Sequence, residues 1–191
     1  MNICLYGASS NEIAPGYIRQ TEILGEKMGA RGHALIFGGG AAGLMGAAAR
    51  GMSRAGGKII GVAPTFFNVD GVLYPHCTEF IYTETMRERK FEMEERADAF
   101  IIAPGGIGTF EEFFEVLTLK QLGRHNKPIA LFNVDGYYGD MIALIEKAIS
   151  ENFMKDVCRD LLCAFTDTDA MLHYLETCDT TQLLPEQTKY L

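Results

Sequence analysis

Residues 98–123, DAFIIAPGGIGTFEEFFEVLTLKQLG, constrain the fold of this chain more than any other stretch. Ala99 to Ala103 is a short apolar run closed by Pro104, the pattern of a buried strand. The turn Pro104-Gly105-Gly106-Ile107-Gly108-Thr109 follows, with glycines spaced so that backbone can approach a ligand closely. The pattern then predicts a helix over about 110–122. A strand feeding a glycine turn and a helix leaves N–H groups and the positive dipole end pointing at one place, which suits an anion such as phosphate. Glu111 and Glu112 fall in the first predicted turn, so a carboxylate stands beside that cradle.

The rest of the chain repeats this grammar. Apolar runs at 2–6, 34–37, 58–63, 79–83, 128–132 and 162–165 alternate with helical stretches at 15–30, 42–55, 84–96, 138–152 and 167–176. Such alternation implies βαβ units and a parallel sheet covered on both faces: one doubly wound α/β domain spanning residues 1–191. The small-residue helix 42–55 is expected to lie close against the sheet. Residues 65–76 carry loop chemistry, and the tail after about 178 is expected to be loosely held. Three glycine- or serine-bearing turns, at 7–10, 38–40 and 105–109, follow strands and should converge on one crevice at the carboxyl ends of the sheet.

Composition and motifs exclude several function classes. A formal net charge of −8 argues against non-specific nucleic-acid binding, which needs a basic surface. Five cysteines without a CxxC pair read as reduced thiols in a cytosol. The four histidines form no HExxH or Cys/His cluster, so no metal site and no bound cofactor is expected. No apolar run is long enough to span a membrane, and the start lacks a basic n-region. The first turn is GASS, not GxGxxG; there is no GxxxxGK[ST] and no GxSxG.

The helix 84–96 places Met86, Arg89, Lys90, Met93 and Ala97 on one face. Two cations on an inward stripe call for an anion, because burying charge unpaired is costly. Either a ligand supplies it, or the stems run along the core rim and the charges pair with Glu92 or Glu94. Glu112 is equally two-sided. Thr109-x-x-Glu112 fits a capping box, with Thr109 as N-cap, and on spacing alone the cap is the stronger reading. The helix 110–122 is apolar nearly all round, with Phe110, Phe113, Phe114, Val116, Leu117, Leu119 and Leu122. That is more than one sheet contact needs. It implies a second buried contact, most simply a homodimer, or else a helix buried within the subunit.

These motifs resemble a known family. PGGIGTFEE, residues 104–112, is similar to the PGGxGTxxE motif of the Lonely Guy family, and MRERK, residues 86–90, looks like its Met-x-x-Arg-Lys element. The turns at 7–10 and 38–46 resemble its other loops, and the similarity runs from the first strand to about Phe153. The family comprises cytokinin riboside 5′-monophosphate phosphoribohydrolases, long labelled lysine decarboxylases; many bacterial members also cleave AMP. The resemblance implies a Rossmann-like fold, a homodimer and a nucleoside monophosphate substrate bound near the dimer interface. It implies Arg89 and Glu112 as the catalytic pair. It implies Lys90, Gly106, Ile107, Gly108, Thr109, Phe110, Glu111 and Thr118 as nucleotide contacts. One departure concerns the loop after the third strand, where plant members carry a substrate-contacting Glu and this chain has Gly71. Two other functions fit the same motifs less well. A decarboxylase would need a Schiff-base lysine, and Lys90 beside Arg89 looks more like an anion clamp. A non-catalytic nucleotide or molybdenum-cofactor carrier would not require Arg89 and Glu112 together.

Overall fold

The computed structural model describes residues 1–180 and 184–189. Strands β1 (Asn2–Tyr6), β2 (Ala34–Phe37), β3 (Lys58–Pro64), β4 (Glu79–Thr83), β5 (Ala99–Ile102), β6 (Ile129–Phe132) and β7 (Cys163–Phe165) form one sheet, in the order β4-β3-β2-β1-β5-β6-β7. Every pairing is parallel. Alternate residues of one strand feed opposite cores: Ile3 and Leu5 join one cluster, Cys4 and Tyr6 the other. This two-sided burial is why the strands read as continuous apolar runs rather than as an alternation.

Helices α1 (Pro15–Ala30), α2 (Gly43–Arg54) and α6 (Thr168–Thr177) contribute to the first core. Helices α3 (Met86–Arg96), α4 (Ile107–Gln121) and α5 (Gly139–Ser150) contribute to the second. The small residues of α2 serve its contact with α1 as well as with the sheet. A Cβ at Gly25 would collide with the Ala48 carbonyl, and one at Gly51 with the Glu22 carbonyl, so the two helices meet backbone to backbone.

Chain direction across the sheet reverses between β1 and β5, so the crossovers on either side of that line lie on opposite faces and a crevice opens above it. The Ala8 N–H donates to the Pro104 carbonyl at 3.0 Å and joins the turns after β1 and β5. The loop after β3 folds back over the turn after β2. Ala41 N–H donates to Val72 O at 2.9 Å, and Tyr74 N–H to Gly39 O at 2.8 Å.

Two of the boundary differences from the sequence expectation bear on the site. Helix α4 begins at Ile107, not near Phe110, with Gly106 as its N-cap and no side-chain cap. Helix α3 begins at Met86, and the capping box lies there: the Thr85 side chain accepts from Glu88 N–H at 3.2 Å, and Glu88 accepts from Thr85 N–H at 3.1 Å. Of the tail, residues 181–183 and 190–191 lie outside the described residues. Its short helix α7 (Pro185–Thr188) is docked: buried Thr188 donates to the Gln121 carbonyl at 2.6 Å. No helix among the described residues is long and apolar enough to cross a membrane.

Candidate active site

The three turns converge as expected. A cleft of about 730 Å³ opens at the carboxyl ends of the strands, within the size range of small-ligand sites. Its walls come from Gly7 to Ser9, from Gly38 and Gly40, and from Gly106 to Thr109. Phe110 is the first residue of α4 whose N–H finds a helical acceptor, the Gly106 carbonyl at 3.0 Å. The N–H groups of Ile107, Gly108 and Thr109 precede it at the mouth of the cleft, in a helix whose N-cap contributes no side-chain bond. A helix start in this condition is an anion site. The equivalent end of α2 is already occupied: Gly43 N–H donates to Asn11 Oδ1 at 2.8 Å, and Leu44 N–H to Ala8 O at 2.8 Å.

Arg89 and Glu112 meet on the floor of this cleft. Arg89 Nη1 donates to Glu112 Oε1 at 2.9 Å, and its Nε donates to the Val62 carbonyl at 3.3 Å. Both side chains are about nine-tenths buried. Space for the guanidinium exists because residue 38 is glycine; a Cβ there would collide with Arg89 Nη2. Burial pushes the Glu112 carboxyl above its ordinary range, and the Arg89 charge and hydrogen bond pull it back only in part.

The capping-box reading of Thr109 and Glu112 does not hold. Because α4 starts at Ile107, Thr109 is its third residue and Glu112 lies in the second turn, beyond reach of the cap. Thr109 is buried instead against Gly105. Glu112 points across to α3, so its partner is a cation, not a backbone N–H. The inward cations of α3 also find their anions on α4 rather than on Glu92 or Glu94. Lys90 Nζ pairs with Glu111 and, at 2.5 Å, with Glu115. Burial alone would lower the Lys90 ammonium pKa; the two carboxylates more than reverse it, and the net shift is upward. Glu94 remains unpaired, with one carboxylate oxygen buried and without a hydrogen-bond partner. Burial, then the nearby Glu115 charge, push it up to about 7.

Of the residues expected at the site, Arg89, Gly106, Ile107, Gly108, Thr109, Glu111 and Glu112 line the cleft. Lys90 stands behind it, Phe110 packs against the second core, and Thr118 is exposed farther along α4. Gly71 lines the cleft with φ of 80°, a backbone state that a glutamate would adopt only under strain. Sequence reasoning missed the apolar wall made by Met45, Phe67, Val72, Leu73 and Met86. The signal was present: Phe66, Phe67, Val69 and Val72 are unusually large and apolar for a loop. Tyr138 donates to the Ala103 carbonyl at 2.7 Å and Tyr137 to the Gly105 carbonyl, so both hold the glycine turn from behind. Among the described residues no group of three or more His, Cys, Asp or Glu could hold a metal ion.

Residues 45–175 match a family model described as "Possible lysine decarboxylase". A "Probable cytokinin riboside 5′-monophosphate phosphoribohydrolase" of Oryza sativa subsp. japonica is 39% identical over 174 residues, covering 91% of this chain and 77% of that protein. A cytokinin riboside 5′-monophosphate phosphoribohydrolase of Arabidopsis thaliana is 36% identical over 174 residues, covering 91% and 80%. Among solved structures, the molybdenum cofactor carrier protein of Chlamydomonas reinhardtii superposes with a TM-score of 0.71 at 20% identity, over 92% of this chain and 95% of that one. At that identity the likeness establishes a shared fold.

Proposed function

The chain belongs to the family of cytokinin riboside 5′-monophosphate phosphoribohydrolases, and on that premise we propose that it hydrolyses the N-glycosidic bond of a nucleoside 5′-monophosphate to free base and ribose 5-phosphate. One observation carries the reading: a buried Arg89–Glu112 pair faces the same cleft as an uncapped helix start.

The chemistry follows from those groups. The 5′-phosphate rests on the N–H groups of Ile107 to Thr109, at the positive end of α4. Its binding energy then positions C1′ against Glu112. As the bond to the base breaks, positive charge spreads over C1′ and the ring oxygen. The Glu112 carboxylate faces that charge and orients the water, whose oxygen joins C1′ and whose proton ends on the departing base. Arg89 holds Glu112 in place, fixes the sugar-phosphate and assists departure of the base. The apolar wall from Met45 to Met86 receives the base, adenine or an N6-modified adenine. Acid–base help of about 10²–10⁴-fold is roughly 3–5 kcal/mol, against about 8 or more for a typical enzyme. Electrostatics and phosphate anchoring supply the remainder.

A decarboxylase chemistry is poorly served. A Schiff-base lysine must be available as a free amine. Lys90 is engaged by two carboxylates, and its pKa shifts the wrong way. The same reading includes a homodimer built on α3 and α4, in a reducing, cytosolic setting suited to five free thiols.

The test is free-base release from AMP and N6-modified AMP beside the matching nucleosides. The expected outcome is cleavage of the monophosphate with kcat/KM at least about 10²-fold above that of the nucleoside. Equal values for the two would overturn the phosphate-anchored mechanism.

A further inference from the structure

Resting on the hydrolase reading, we propose that Lys90 is a positioning residue. With Glu111 and Glu115 it locks α3 to α4 and so holds Arg89 in register with Glu112, without touching the nucleotide.

Two ion pairs cross the gap between these helices side by side. Arg89–Glu112 faces the cleft; in the second pair Lys90 and Glu115 lie outside the cleft lining, and Glu111 stands at its edge. Lys90 follows Arg89 on α3, and Glu111 precedes Glu112 on α4. Neighbours in sequence point about 100° apart around a helix. The second pair therefore grips each helix at a different azimuth from the catalytic pair and resists rotation of either about its own axis. Glu111 and Glu115 are four residues apart on one face, so the single ammonium engages two successive turns.

The lever arm is short enough for this to matter. A carboxylate stands about 5–6 Å from the helix axis, so a rotation of about 10° displaces it by roughly 1 Å. Misplacement of that size is sufficient to cost about 10²-fold in rate. Elsewhere α3 is held by Met93 in the second core and by the Arg96–Glu79 ion pair, but among the described residues Arg89 itself is held by the 3.3 Å bond to the Val62 carbonyl and its bond to Glu112, so its aim is sensitive to small rotations. Lys90 is itself badly placed to meet a phosphate. Its side chain is 16% exposed, lies outside the cleft lining, and spends its ammonium on two carboxylates.

Kinetics separate positioning from contact. Glu115→Gln is the mildest probe, isosteric and remote from the cleft lining; Lys90→Met removes the cation. The proposal expects kcat on AMP to fall about 10–10²-fold in both, with KM within about 2-fold of wild type. The double variant should be no slower than Lys90→Met alone, since both changes break one lock. Lys90→Arg can still bridge both carboxylates and should recover most of kcat. Calorimetric Kd values for AMP give a readout that does not need turnover; the proposal expects Lys90→Met to bind like wild type. A KM or Kd raised tenfold with kcat retained would make Lys90 a direct phosphate contact and overturn the proposal. A lower Tm with unchanged kcat per folded molecule would overturn it too, leaving a plain structural clamp. Wild-type AMP binding without base release fails the hydrolase reading and with it the catalytic consequence of the lock, while the Kd comparison still decides whether Lys90 contacts the nucleotide. Absence of AMP binding by wild type overturns both.

Discussion

Glu112 and glutamine differ by one charge, and the site is arranged so that the charge matters more than the shape. The amide oxygen of Glu112→Gln can still accept the Arg89 bond, so the fold survives. The guanidinium loses its counter-charge, at a cost of about 1–3 kcal/mol, which in a domain of this size lowers Tm by about 2–4 °C per kcal/mol. A neutral amide cannot face a developing cation, so base release should fall by about 10²-fold or more. Unchanged turnover in Glu112→Gln would rule out a catalytic carboxylate at this position. The wild-type profile carries a second signature. Burial holds the Glu112 carboxyl above its ordinary range, so the acid limb of kcat/KM should lie above the usual carboxylate pKa of about 4.3. That limb should be absent from the residual activity of the glutamine variant.

Helices α3 and α4 illustrate how a charged interface is set by what it leaves unpaired. Lys90 forms ion pairs with Glu111 and Glu115, while Glu94 lies beside Glu115 with one buried oxygen that has no hydrogen-bond partner. Its other charged neighbours are Lys90 and Lys127, which together do not offset burial, and Glu111, which raises it further. A carboxyl whose pKa rises from 4.5 unfolded to about 7 folded binds more protons in the native state between those values. Stability therefore falls as pH rises through that window and stays reduced above it. Glu94→Gln removes the effect. Melting curves should show the variant above wild type at pH 8 and level with it at pH 4. A constant Tm difference across this range would show that Glu94 does not titrate there.

Assembly is the question the whole molecule poses. Phe91 on α3 is 60% exposed and Phe114 on α4 is 42% exposed, on elements that also carry Arg89 and Glu112. Covering both with a second copy would bury the apolar surplus of α4 and bring exposed Thr118 into an interface. Light scattering at micromolar concentration should report a dimer or a multiple of one. A clean 21.1 kDa species would remove the interface and, with it, any role for Thr118. Phe114→Glu should shift the population toward monomer without unfolding it, because the side chain already faces solvent within the subunit.

The doubly wound sheet was legible in the sequence because its determinants are local. Buried parallel strands must be apolar throughout, and crossover helices must intervene, so the period of the pattern names the fold. The glycine turns and the cations of α3 were legible for the same reason: each is a residue type whose physical restriction shows in isolation. Tertiary structure decided which partners those residues meet. Spacing assigned Glu112 to a cap; only the start of α4 at Ile107 and the closeness of α3 turn it toward Arg89. Spacing offered Lys90 partners on its own helix; its ion pairs come from α4. Gly38 is a turn residue by sequence and a guanidinium pocket by structure. An ion pair between residues 23 apart depends on how two helices are rotated against a sheet, and no periodicity in either helix records that angle.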